Sequence, residues 1–266
     1  MITNTLSPIL RYRQLTYSMT KRDILGRYRG ASFGLFWSLI SPFLMLIVYT
    51  IAFGYILRSR WPGHEGGTTE FALILYLGLI VHGLIAECLV RAPSIIISNT
   101  NLVKRVVFPL EILPWSAVFS AVFHMAASAL IFVALSMLIR GHVPVLTLLL
   151  PVVFFPLIVL TIALSLLLAA FGVYVRDVHQ VSGVLSTALL FLSSAIVPVE
   201  TLPESYRWIF YLNPLTFIID QARNVAFFGR MPDVLGLLVY FAAACVSLYV
   251  ASVLFAKAKR GFADVL

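Results

Sequence analysis

Charge is what this sequence has least of. Of its 266 residues only 11% are Asp, Glu, Lys or Arg, whereas 61% are hydrophobic and the mean hydropathy is +1.00. Soluble domains carry about 25% charged residues, so a soluble globular protein is excluded and a polytopic membrane protein is implied. Cysteine is nearly absent. Cys88 and Cys245 both fall in apolar runs without metal or redox spacing, so each reads as a small buried hydrophobe and no disulfide framework is implied. No G-x-x-x-x-G-K-[ST] loop occurs, which excludes nucleotide binding of the usual kind, and H-E-x-x-H is missing too. The first 33 residues hold six Lys or Arg but no compact apolar core and no small-residue cleavage pattern, so no cleaved signal peptide is expected. The formal net charge of +8 lacks the polar surroundings of a nucleic-acid face, because its charges flank long apolar runs. No nucleic acid partner, no metal site and no cofactor held by this chain are expected.

What is present is a succession of apolar runs. Residues 34–57 are uncharged over 24 positions, and a helix needs about 20 residues to cross a bilayer core. Pro42 inside this first span is tolerable where neighbouring helices satisfy the freed backbone. Residues 71–90 return, interrupted by Glu87, which reads either as a functional intramembrane acid or as a headgroup-level one. Its distance from His82, five residues, puts the two off a common helix face. Residues 112–139 cross again, with His124 read as structural. The uncharged run 143–175 is 33 residues, or ~50 Å as a helix, too long for one straight crossing; Pro144, Pro151 and Pro156 place the regular span at 150–174. Residues 178–199 and 234–256 complete six spans.

Between and before these spans lie four segments of another kind. Residues 6–32 read as a basic segment lying on the membrane, with Leu6, Leu10, Tyr17, Ile24 and Tyr28 in a stripe that Arg13 and Lys21 border; a solvated basic tail orienting the first span is the alternative. Residues 99–114 form a basic, proline-marked interruption containing Lys104 and Arg105, and residues 174–179 a shorter charged connection. Residues 200–232 are too apolar for a solvated loop and too often broken for a span, so a re-entrant pair of short helices is expected. Lys and Arg number six in 1–33, three in 91–111, one at Arg176 and three in 257–260, against six in the opposite segments. This bias places both ends and the 99–114 segment in the cytosol.

Aromatics are abundant: 20 Phe, 11 Tyr and 4 Trp. Trp61, Trp115 and Trp208 suit an interface belt. Tyr49, Phe53, Tyr55 and Phe191 are either packing residues or the lining of a passage. Apart from Glu87 the spans contain no acid, which argues against a proton-coupled carrier.

Five motifs in order carry a resemblance: RYRGASFGLFW with Pro42 after it, NLVKRVVFPLEILP, YVRDV, LPESYRWIFYLNPLTFIIDQAR and GFADVL. Together they resemble the membrane subunit of ABC-2 type exporters for lipid-linked polysaccharides, the group of O-antigen, teichoic acid and capsule permeases. The resemblance implies an all-α integral membrane fold with six transmembrane helices, an N-terminal amphipathic interface helix, a cytosolic coupling helix over 98–110 and exoplasmic gate helices over 201–230. It implies a bacterial cytoplasmic (inner) membrane location, a second copy of the chain, and two copies of a P-loop ATPase that bind ATP and Mg. The substrate implied is a lipid-linked polysaccharide. Leu102, Val103, Lys104, Arg105, Val106, Phe108 and Glu111, with Tyr174, Arg176 and Asp177, would meet the ATPase. Arg22, Arg27, Tyr28 and Arg29 would belong to the interface helix, and Pro203, Tyr206, Trp208, Tyr211, Asn213 and Pro214 to the gate. An ABC-2 permease for a small drug or lipid, and a non-ABC channel or carrier, are the competing readings.

Overall fold

The computed structural model describes residues 11–56, 61, 67–104 and 108–266. Among them the chain is helical throughout, with no strand, and five stretches are long and apolar enough to cross a membrane: Gly34–Ile56, Thr68–Ser94, Ile112–Arg140, Val145–Tyr174 and Val234–Val265. It is a multi-pass membrane protein. Helix α1 (Arg13–Arg27) precedes a span built of a 3₁₀ turn (Gly34–Phe36), α2 (Trp37–Tyr49) and a π-helical end (Thr50–Ile56). The widening begins where the Thr50 hydroxyl takes the Leu46 carbonyl at 2.7 Å, competing with the backbone ladder. Then follow α3 (Thr68–Arg91), the short α4 (Thr100–Lys104), α5 (Ile112–Arg140) and α6 (Leu150–Tyr174). The last part of the chain holds α7 (Val178–Phe191), α8 (Glu204–Leu212), α9 (Pro214–Ala226), α10 (Val234–Ala258) and α11 (Phe262–Val265).

Helices α3 and α6, apolar all round, are buried along most of their length and form the centre. Around α3 lie α5, α7 and α9; α10 packs along α6, and α2 leans on α5. Helix α1 lies against α5 as well. The outer faces of α2 and α10 remain apolar and uncovered, as lipid-facing helices must be.

Two expectations are corrected, and a third runs beyond the described residues. The span anticipated at 178–199 is helical only through Phe191, 14 residues, or ~21 Å, after which residues 192–198 turn irregularly. Of the coupling helix anticipated over 98–110, the α-helical part among the described residues is α4. Two 3₁₀ turns, Ala92–Ser94 and Ile97–Asn99, come before it, and Asn99 and Thr100 bond back to the carbonyls of Ile95 and Ile97, which tightens the chain into turns. Phe108 and Pro109 are not helical, while Arg105 and Val106 lie outside the described residues. The surface helix anticipated from residue 6 is described only over Arg13–Arg27, so Leu6 and Leu10 also fall outside. It ends in a turn at Gly30, whose φ of 86° favours glycine.

Candidate functional site

Three regions gather the residues singled out in the sequence. At the basic end, α4, the 174–177 turn and the segment from Lys257 onward meet. Leu102, Val103 and Phe108 are half-buried against the core, whereas Lys104, Arg176 and Asp177 face outward. Two of the anticipated contact residues are engaged within the chain. Glu111 accepts both its charge-assisted bonds from Lys259 Nζ, at 3.0 and 3.1 Å. The Tyr174 phenol donates to the Ala258 carbonyl at 2.7 Å, and its ring faces Phe262 at 6.0 Å.

The second region is a cleft of about 480 Å³ enclosed by the end of α1, α2, α3, α5 and the last turn of α7. Its walls are apolar, with Pro42, Met45, Leu79 and Leu190 among them, and its polar corner is Glu87. The Glu87 Oε1 accepts from Arg27 Nη1 at 2.6 Å and Arg91 Nη1 at 3.1 Å, and Oε2 lies 2.9 Å from His124 Nδ1, a nitrogen that is also 3.0 Å from Arg27 Nη1. His124 is therefore not a lone structural histidine: it shares one carboxylate with two guanidiniums, under the edge of the Tyr28 ring. Asp23 extends the network toward Arg91 and Ser116 at 3.5 Å. In α1 Thr16 is buried and Asp23 and Arg27 pair with the bundle, while Tyr17 of the anticipated stripe points outward and Ile24 and Tyr28 are half-buried. Arg22 and Arg29 are exposed. His82, donating to the Ser186 carbonyl at 3.0 Å, borders the same cleft as Glu87 despite its spacing, because the cleft wraps around α3.

Of the four passage candidates only Tyr49 lines this cleft, stacked on Phe53 at 6.1 Å; Tyr55 and Phe191 lie exposed on the outer surface.

The third region is the irregular turn after α7. Its serines and Ala195 are almost completely buried, so its backbone must find partners inside the protein. They come from α9. The guanidinium of Arg223 donates to the carbonyls of Ser194 at 2.6 Å, Ala195 at 3.0 Å and Ile74 at 3.1 Å, beneath the Trp61 ring at 4.2 Å. Burial, the larger effect, lowers the Arg223 pKa to about 10, with Asp220 and Glu200 pulling the other way, so the group stays cationic at neutral pH. The same burial raises Asp220, which accepts from the Ser194 hydroxyl at 2.8 Å. Asn213 serves two ends at once: its Oδ1 caps α9 through the Leu215 N–H, and its Nδ2 donates to the carbonyls of Leu189 and Leu192, each at 2.9 Å. Gly78 makes the approach possible, since a Cβ there would stand 2.7 Å from the Ala195 Cα. Pro203 precedes α8 and Pro214 opens α9, while Tyr206, Trp208 and Tyr211 are exposed along α8.

Arg223 and Lys259 were legible only as charges to be counted toward topology. The one available hint was position: Arg223 lies in the apolar, Pro-broken 200–232 segment, where a charge needs a partner.

Residues 14–227 match the family described as ABC-2 type transporter. The chain is 28% identical over 263 residues to the O-antigen export system permease protein RfbA of Myxococcus xanthus, covering 96% of each. A Klebsiella pneumoniae protein of the same name is 23% identical over 250 residues, 93% of each. The polysialic acid transport protein KpsM of Escherichia coli is 24% identical over 216 residues, 80% of this chain and 81% of that one.

Proposed function

The chain belongs to the ABC-2 type transporter family, and from that premise we propose that it is the membrane permease of an ATP-driven exporter of a lipid-linked polysaccharide. The observation that carries this reading is the likeness to an O-antigen permease along 96% of both chains. ATP and Mg belong to a separate P-loop ATPase, in two copies, and two permease chains enclose the passage in the bacterial cytoplasmic membrane. Six crossings, with α7 and the turn after it as the fifth, return both ends to the cytosol. The basic bias of that end supports this orientation. Closure of the ATPase pair then shifts the population of permease states by moving the segment 102–111 and the turn Tyr174–Asp177. In this mechanism the permease makes no covalent bond; its surface receives a mechanical step and its cleft and re-entrant segment change shape.

The test is the double charge reversal Lys104→Glu with Arg105→Glu, made with membrane topology mapped in the same variant. Loss of ATPase co-purification and of glycan export with topology intact is the expected result. Retention of both overturns the docking assignment.

A further inference from the structure

Residues Ala258–Leu266 sit between the two segments assigned to ATPase contact, and they are bonded to each. Toward the first, Lys259 Nζ spans both oxygens of Glu111 at 3.0 and 3.1 Å, and α11 packs on α4. Toward the second, the Ala258 carbonyl accepts the Tyr174 hydroxyl at 2.7 Å. Gly261 leaves the space this phenol needs, because a Cβ there would stand 2.6 Å from the phenol oxygen. Phe262 closes the joint. It is fully buried, 6.0 Å from the Tyr174 ring and edge-on to Phe255 at 5.7 Å. An aromatic ring held this way resists rotation about both contacts, since interiors of native density transmit displacement instead of absorbing it.

We infer that Ala258–Leu266 is a strut that makes α4, Glu111 and the turn Tyr174–Asp177 one rigid body, with Lys259 and Phe262 as its positioning residues. Without it, α4 and the 174–177 turn, both contacted by one ATPase, would be free to respond separately. With it, a push on either is delivered to α6 through Tyr174 and to α10 through Ala258. The inference rests on the docking reading above.

The experiment uses the full permease co-expressed with its ATPase, in a Cys245→Ser background, and reads three quantities. A bifunctional thiol-to-amine cross-linker on Asn101→Cys, exposed on α4, reports docking alone. Glycan exported per ATP hydrolysed is then compared for Lys259→Glu, Glu111→Lys and the swap of both. Lys259→Glu is expected to leave the ATPase bound, and each single reversal to lower the export-to-hydrolysis ratio at least about fivefold, the low end of ordinary coupling between sites. The swap restores it. Phe262→Ala behaves like the single reversals, and Phe262→Leu recovers part of the ratio. Absence of an ATPase adduct at position 101 overturns the docking reading and the strut with it. An adduct together with an unchanged ratio in the single reversals, or a swap that restores nothing, overturns the strut alone.

Discussion

Arg27, at the end of α1, and Glu87, inside α3, meet at 2.6 Å, and this pair fastens the surface helix to the bundle. The arrangement also answers how an acid is held in an otherwise uncharged span: three basic side chains surround it. Glu87→Gln removes the charge that Arg27, Arg91 and His124 share. Because Arg27 is half-exposed, the expected cost is about 1 kcal/mol. Trypsin cleavage after Arg27 should accelerate in the variant, and high salt should accelerate it in the parent more than in the variant. Equal cleavage rates in both proteins would remove the fastening role.

Arg223→Lys keeps the charge and loses the fork. Three buried carbonyls share that fork, so the lysine variant should be destabilised nearly as much as Arg223→Ala, by about 3–5 kcal/mol. Thermal unfolding of the purified protein decides it. A lysine variant with the parent's midpoint contradicts the geometry.

Asn213 separates two effects. Asn213→Asp retains the cap on Leu215 and loses both donors to α7, whereas Asn213→Ala loses everything. The alanine variant should lose about 1 kcal/mol for the cap, added to the cost of the unmet carbonyls that both variants carry. Parallel denaturation midpoints of the two variants measure the difference, and identical midpoints would show that the cap contributes nothing.

Gly78→Ala and Gly83→Ala form a matched pair on one helix. At Gly78 a new Cβ meets the Ala195 backbone, while at Gly83 nothing stands within 4 Å. The first should cost about 1–3 kcal/mol by overpacking, and the second should be neutral or slightly stabilising from helix propensity. If midpoints shift equally, the close approach is not what selects glycine at position 78.

The long apolar runs made most helices legible, because a run of about 20 uncharged residues admits few structures in lipid. Where the chain instead relies on partners far along the sequence, the reading failed. Residues 192–198 looked like the continuation of a span; their carbonyls are taken by a guanidinium from α9, and no periodicity reports that. Glu111 looked free for a partner protein and is held by Lys259. Glu87 was ambiguous between two roles because its ligands lie on α1 and α5, and a polar contact between distant segments leaves no local pattern. His124 looked bland for the same reason. The stripe drawn on α1 weighed apolar residues, yet the residues there that are buried or pair with the bundle are Thr16, Asp23 and Arg27.

The pinned turn after α7 also constrains the order in which the chain is built. The carbonyls of Ser194 and Ala195 are satisfied by a side chain 29 and 28 residues further on. During synthesis α7 therefore emerges before the group that completes the turn after it. A chain that ends between Ala195 and Arg223 therefore carries two buried carbonyls without the guanidinium that satisfies them.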